Sequence, residues 1–187
     1  MPDLSFEALH PAPVCGVDEV GRGPWAGPVL ACAVILNPAN IPAGLDDSKK
    51  IPKARREALA VKILSTADVG LGEASVTEVD QINILQATYL AMRRAISALQ
   101  TPPAFALIDG NRTPPGLPCP SVTLVKGDSR SASIAAASIV AKVTRDKAMV
   151  ALAQQFPGYG WETNAGYGVK AHAEALKRLG VTPHHRR

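Results

Sequence analysis

Apolar and polar positions follow two periods along the chain, and each change of period marks an element. Val14 to Asp18 is a short β-prone run that enters a glycine- and proline-rich loop, Gly21 to Pro28, and Val29 to Leu36 resumes as an apolar strand. Pro38, Pro42 and Gly44 mark a connection, and Pro52 then suits the first position of a helix over Lys53 to Ser65. Val69 to Ala74 reads as another strand. Thr77 with Asp80 three residues on resembles a helix cap. Behind it Ile82, Leu85, Tyr89, Met92, Ile96 and Leu99 recur at spacings of three and four, the stripe of an amphipathic helix. Pro102 and Pro103 stop that helix, and Phe105 to Ile108 reads as a buried strand that yields to Asp109, Gly110 and Asn111. Val122 to Val125 is a further strand, Ser131 to Gln154 a long alanine-rich helix, and Lys170 to Leu179 a last helix. Strands in sequence followed by alternating helices and strands predict an α/β class with a mixed sheet and helices packed on it. The chain shows no repeat and no linker, so residues 1–187 are expected to form a single domain.

Composition narrows the function. The chain has 187 residues, 47% of them hydrophobic, enough for one continuous core. Charged residues make up 19%, under the roughly 25% of an average domain, so no polyelectrolyte tail is expected. The longest apolar run, Val29 to Leu36, has eight residues, far short of the roughly 18 a spanning helix needs. The first residues carry Asp3 and Glu7 and lack the basic start of a signal peptide, so a cytoplasmic protein without membrane attachment is expected. Cys15, Cys32 and Cys119 form no C-x-x-C pair, and His10, His172, His184 and His185 form no metal-binding spacing. The cysteines read as buried fillers and the terminal histidine pair as a polar tail. Any metal must then be held by oxygen. The net charge of +4 is uneven: residues 126–187 hold 10 Lys and Arg against 4 Asp and Glu, and the rest hold 10 against 12. A basic end of this kind suits an anionic partner.

Carboxylates are seldom left on apolar strands unless they are paired or coordinate something. Asp18 and Glu19 close the first strand, Asp109 closes another, and Asp128 follows a third through Lys126 and Gly127. If these strands are neighbours, their ends lie about 5 Å apart and the acids converge at the sheet rim. A hard divalent cation relieves their repulsion. Mg²⁺ or Mn²⁺ accepts carboxylate oxygens and keeps waters for phosphate and nucleophile, and two ions about 3.5 to 4 Å apart can clamp an in-line phosphoryl displacement. Adjacent strand residues point to opposite faces, so Glu19 is expected beyond the regular strand or on a bulge. The loop Gly21 to Pro28 feeds a strand where a dinucleotide fingerprint requires a helix, so no Rossmann site is read there. Its glycines instead allow close approach of a ligand, with Arg22 available for phosphate.

Four segments carry a resemblance. Gly16 to Pro24 (GVDEVGRGP), Ile108 to Asn111 (IDGN), Lys126 to Ser129 (KGDS) and Ala136 to Asp146 (AASIVAKVTRD) resemble bacterial ribonuclease HII, in matching order and spacing. Leu45 to Lys50, Asn83 to Ala87, Gly166 to Gly168 and Thr182 to Arg187 are similar too, so the likeness spans nearly the whole chain. The resemblance implies the ribonuclease H-like fold: a five-stranded mixed sheet flanked by helices, with a small helical C-terminal extension. It implies a metal-binding and catalytic quartet of Asp18, Glu19, Asp109 and Asp128. Gly21, Arg22 and Gly23 correspond to the family's ribonucleotide-sensing loop, and Tyr167 to the tyrosine that packs on the sugar beyond the ribonucleotide. Val169 stands where the family commonly has Thr.

The implied activity is hydrolysis of the phosphodiester 5′ to a ribonucleotide, in RNA/DNA hybrids and at ribonucleotides embedded in duplex DNA, leaving 3′-hydroxyl and 5′-phosphate ends. The expected cofactors are two Mg²⁺ or Mn²⁺ ions and the expected acting unit is a monomer. One ion near Asp18, Asp109 and Asp128 would activate water, and one near Asp18 and Glu19 would stabilise the leaving oxygen. Lys49, Lys142 and Lys170 are candidate phosphate contacts, Lys49 being retained in the substrate-binding set with Gly21, Arg22, Gly23 and Tyr167. Asp146 reads as a structural ion-pair member, and Tyr159 and Trp161 as packing residues. Two alternatives stay open: another metal-dependent nuclease of this fold, resolvase- or transposase-like, and a noncatalytic nucleic-acid binder.

Overall fold

A computed structural model describes all 187 residues. Its elements are β1 (Val14–Val20), β2 (Val29–Ile35), α1 (Lys53–Thr66), β3 (Asp68–Ala74), α2 (Val76–Ser97), β4 (Phe105–Asp109), β5 (Ser121–Leu124), α3 (Ala132–Gln155), α4 (Trp161–Asn164) and α5 (Lys170–Leu179). The strands form one sheet in the order β3-β2-β1-β4-β5. β1 and β2 pair antiparallel across a short loop and β3 joins β2 antiparallel after α1, whereas β4 joins β1 in parallel after α2 and β5 joins β4 in parallel after a helix-free loop.

Strand alternation gives each face its own core. Leu30, Cys32 and Val34 face α1 and α3, where Ala136, Ile139, Val140 and Val143 cover them. Cys15, Val17, Ala31, Ala33, Ala106 and Ile108 face α2 and its stripe of Ala87, Ala91, Met92 and Ile96. A smaller cluster of Ala26, Met149, Tyr159, Trp161 and Ala175 joins the end of α3 to α4, α5 and the loop after β1. This is the helical C-terminal extension, and Tyr159 and Trp161 pack within it as expected. No helix is long and apolar enough to cross a membrane.

Four local expectations need correction. Glu19 is neither beyond the strand nor on a bulge: it stays in the regular ladder, opposite Ala31 on β2. The cap of α2 is Ser75, two residues before Thr77. Its side chain accepts the Glu78 N–H at 3.2 Å while Glu78 Oε2 accepts the Ser75 N–H at 2.9 Å, a complete capping box. The stripe starting at Ile82 reports only the second part of α2, because Asn83 (φ 66°, ψ 165°) breaks the helix and its Oδ1 accepts the Leu85 and Gln86 N–H groups. The terminal histidines are not a free tail. His185 is buried and lies 3.0 Å from the buried His172, Nε2 to Nε2.

Candidate active site at the sheet rim

Parallel register sets the site. Val17 on β1 lies opposite Ile108 on β4, so the next residues, Asp18 and Asp109, sit side by side where β4 ends. Asp109 in turn pairs with Leu124 at the end of β5. Beyond it Lys126 takes a left-handed conformation (φ 56°), and the short 3-10 turn Gly127–Ser129 brings Asp128 back toward Asp109. Gly127 donates its N–H to Asp109 Oδ1 at 2.7 Å, tying the two loops together and orienting the carboxylate. Asp18, Glu19, Asp109 and Asp128 line one cleft of about 320 Å³ with Ser48, Lys49, Ser138, Lys142 and Tyr167.

Glu19 shows how opposite faces can share a site. β1 continues to Val20 while β4 stops at Asp109, so on that side Glu19 has no strand beside it. Glu19 and Asp109 therefore line the acid cleft and also an adjoining one on the α2 face, with Arg22, Tyr89, Asn111 and Arg112. The alternation rule held, and the gap past the end of β4 joins the two faces.

Burial raises the pKa of all four acids. Asp18, only 8% exposed, lies well above the ordinary carboxylate range because it is desolvated, and the Glu19 and Asp109 charges add to this. Its carboxylate accepts the Glu19 N–H at 2.8 Å. Desolvation also raises Glu19, opposed by Arg22 at 3.4 Å. Asp109 and Asp128 are raised chiefly by burial, with Lys49 opposing both, while Asp47 and Asp109 push Asp128 further up. Lys49 is held nearby by a turn in which its N–H donates to Asp47 Oδ1, and Ser138 Oγ donates to Ser48 Oγ at 2.8 Å from α3. One buried and three half-buried carboxylates gathered in one cleft are costly without a countercharge.

The donor set fits a hard divalent ion, since every donor is oxygen. No three His, Cys, Asp or Glu side chains stand close enough together to grip one ion as placed. The arrangement thus offers a divalent ion one or two carboxylates plus water, the usual coordination of Mg²⁺, and not the three carboxylates expected from Asp18, Asp109 and Asp128.

The other expected residues divide. Tyr167 is 42% exposed, with its ring at the cleft, and a Cβ on Gly23 would lie 3.6 Å from Tyr167 Cε1, so loop and ring are neighbours. Gly166 and Gly168 serve close approach: a Cβ on Gly166 would meet Ala26 O at 2.5 Å and one on Gly168 the Trp25 ring at 2.2 Å. Lys142 lines the cleft while pairing with Asp146 at 2.8 Å, so Asp146 is the ion-pair member expected. Lys170 lies outside the cleft, 91% exposed beside Glu174. Val169 is the N-cap of α5 and makes no cap hydrogen bond, so a Thr there would serve the helix. The sequence assigns Arg145 and Arg186 no role of their own: Arg145 is fully buried in α3, but its charged neighbours Lys142, Asp146 and Lys147 leave it no distinguishing mark.

Comparison with known proteins decides the family. The ribonuclease HII family model matches residues 15–187, and a ribonuclease HII of Jannaschia sp. (strain CCS1) is 64% identical over 186 residues, covering 100% of this chain and 94% of that protein. The chain belongs to the ribonuclease HII family. As a ribonuclease HII it is a metal-dependent endonuclease of the ribonuclease H class. Solved relatives share the fold. The ribonuclease H2 of Pyrococcus horikoshii OT3 aligns with a TM-score of 0.77 at 28% identity, covering 93% of this chain and 92% of its own. The RNase HII of Archaeoglobus fulgidus, solved in complex with PCNA, aligns with a TM-score of 0.76 at 25% identity, covering 92% and 93%.

Proposed function

We propose that this ribonuclease HII hydrolyses the phosphodiester 5′ to a ribonucleotide, both in RNA/DNA hybrids and at ribonucleotides embedded in duplex DNA. The observation that carries this reading is the register that brings Asp18, Glu19, Asp109 and Asp128 to one cleft, beside Lys49, Tyr167 and the exposed backbone of Arg22 and Gly23. These four acids are the catalytic, metal-holding residues. Bound among them, a pair of Mg²⁺ or Mn²⁺ ions supplies the charge that offsets the carboxylates and polarises the phosphodiester.

The chain's own residues place the substrate. Asp18, fixed by the Glu19 N–H, and Asp109, fixed by the Gly127 N–H, hold the centre of the site. The Lys49 ammonium offsets phosphate charge as the backbone enters. The ring of Tyr167 packs on the sugar beyond the ribonucleotide and aligns the backbone for in-line attack. The backbone of Gly21, Arg22 and Gly23 meets the 2′-hydroxyl, the group by which ribose differs from deoxyribose. Water adds to phosphorus, the bond to the upstream 3′-oxygen breaks, and the products carry a 3′-hydroxyl and a 5′-phosphate. The acting unit is a monomer, one domain over residues 1–187, working in the cytoplasm.

The test is cleavage of a DNA duplex with one embedded ribonucleotide against the matching all-DNA duplex, with Mg²⁺ and with chelator, the cut mapped by product length. A Mg²⁺-dependent cut one bond 5′ of the ribonucleotide is expected. Equal cutting of both duplexes would refute the ribonucleotide reading, and a cut on the 3′ side would refute the placement.

A further inference from the structure

Two arginines hold the loop after β1 from behind. Arg145, fully buried in α3, donates Nε–H to Pro28 O at 3.0 Å, Nη2–H to Ala26 O at 3.0 Å and Nη1–H to Ala165 O at 2.9 Å. Arg186 reaches the same loop from the C-terminal tail, more than 150 residues away in sequence. Its Nη2 donates to Gly21 O at 2.5 Å and Gly27 O at 2.7 Å, its Nε to Gly27 O at 2.9 Å, and its Nη1 to Arg22 O at 3.0 Å. Gly21 (φ 93°) has no room for a side chain, because a Cβ would meet Arg145 Nε at 2.2 Å.

A trans peptide is planar, so the N–H of one residue points opposite to the C=O of the residue before it. With the Gly21 and Arg22 carbonyls turned to Arg186, the Arg22 and Gly23 N–H groups turn away from it. Neither N–H donates to any group of the chain, and both residues are exposed. Gly23 borders Tyr167, and Arg22 lines the cleft that contains Glu19 and Asp109. Two free donors thus stand beside the acids, aimed by a guanidinium that no substrate need touch.

The tail is itself locked. Ala26 bridges His185, Gly27 donates its N–H to His184 O at 2.9 Å, and Arg186 donates its N–H to Trp25 O at 2.8 Å. His185 Nδ1 accepts the Thr182 N–H at 2.9 Å, which leaves its proton on Nε2, facing His172 Nε2 at 3.0 Å. His172 Nε2 also accepts the Trp161 N–H at 3.1 Å, so its Nδ1–H donates to Tyr167 O at 2.9 Å. Sugar-facing tyrosine and carbonyl-holding tail belong to one network.

We infer that Arg186 is a specificity-determining positioning residue, which turns the Arg22 and Gly23 peptides so that their N–H groups donate to the 2′-oxygen. The inference rests on the reading that Gly21 to Gly23 meet the sugar, and its test separates the two. The full chain, in chelator, is titrated by fluorescence anisotropy with a duplex carrying one ribonucleotide and with the matching all-DNA duplex. Wild type prefers the ribonucleotide. In Arg186→Gln that preference falls by about tenfold, the scale of one lost hydrogen bond to a charged or polar partner, while all-DNA affinity stays within about twofold. Arg186→Lys, reaching fewer carbonyls, falls between, and it gives the reading if Arg186→Gln does not fold. Amide resonances of Arg22 and Gly23 shift on ribonucleotide binding in wild type and not in Arg186→Gln. Wild-type preference in both Arg186 variants, with loss in Gly23→Pro, which deletes one donor, would leave the loop as reader and overturn the role of Arg186. Preference unchanged in all three variants would overturn both.

Discussion

Neutralising Asp18 is expected to stabilise the metal-free protein while removing its activity. Asp18 is almost wholly buried and its folded pKa is raised, first by desolvation and then by the Glu19 and Asp109 charges. An acid raised in this way contributes stability that is complete below the unfolded pKa of about 3.9 and is lost as pH rises through the folded value. Each unit of the shift amounts to about 1.36 kcal/mol at high pH. Asp18→Asn removes that loss and keeps an oxygen to accept the Glu19 N–H, so the opposing cost is at most about 1 kcal/mol of weakened hydrogen bonding. For a chain of this size each kcal/mol moves Tm by about 2 to 4 °C. The assay is thermal melting in chelator across pH. At pH 8 Asp18→Asn should melt above wild type, and the gap should close as pH falls toward the unfolded carboxylate range. Millimolar Mg²⁺ should then raise wild type more than the variant, because ligand stabilisation grows with affinity for the native state. A variant that melts below wild type at pH 8 in chelator would show that Asp18 is a structural acceptor and refute the repulsion argument.

Three further outcomes follow from the same structure. Val169→Thr should add a cap to α5 and raise Tm by about 2 to 4 °C, for roughly 1 kcal/mol; an unchanged melt would show that this helix end does not limit stability. Tyr167→Ala should lower cleavage far more than Tyr167→Phe if, as proposed, the ring and not the hydroxyl packs on the sugar, and equal loss in steady-state assays would contradict that. Glu7→Ala should melt below Glu7→Gln, because Glu7 Oε1 accepts the Ser133 N–H at 2.9 Å and both Ser131 and Ser133 hydroxyls at the start of α3. The lost charge-assisted bonds are on the order of 1.5 to 3 kcal/mol, and equal melts would argue against that cap.

What the sequence revealed was local or periodic. The spacing of Leu85, Tyr89, Met92 and Ile96 marks the buried side of α2, and acids closing apolar runs mark strand ends whatever their partners are. Ser75 with Glu78 is equally local, but it lies seven residues before Ile82, and the rest of the stripe belongs to the part of α2 beyond the Asn83 break. Asn83 carries a left-handed φ that few residues other than glycine tolerate, and its side chain restarts the helix, so the break is legible only to a reader who treats Asn as a cap.

Glu19 was misjudged for a different reason, and the same reason hid Arg186. Alternation places Asp18 and Glu19 on opposite faces, which is correct, but whether opposite faces can share a cleft depends on where the neighbouring strand stops. That is a property of β4, some 90 residues away, and nothing near Glu19 encodes it. Arg186 likewise sits in what reads as a polar tail, and only its placement against Gly21, Arg22 and Gly27 turns a terminal cation into a clamp on backbone. The cost of holding it there is visible in its pKa, pushed down to about 10 by burial and by the neighbouring Arg145. Two guanidinium groups side by side behind one loop would repel and expose their charge unless the carbonyls between them were worth the cost. Two of the carbonyls that Arg186 holds, those of Gly21 and Arg22, belong to the peptides that present the free N–H groups of Arg22 and Gly23, the donors proposed to tell ribose from deoxyribose.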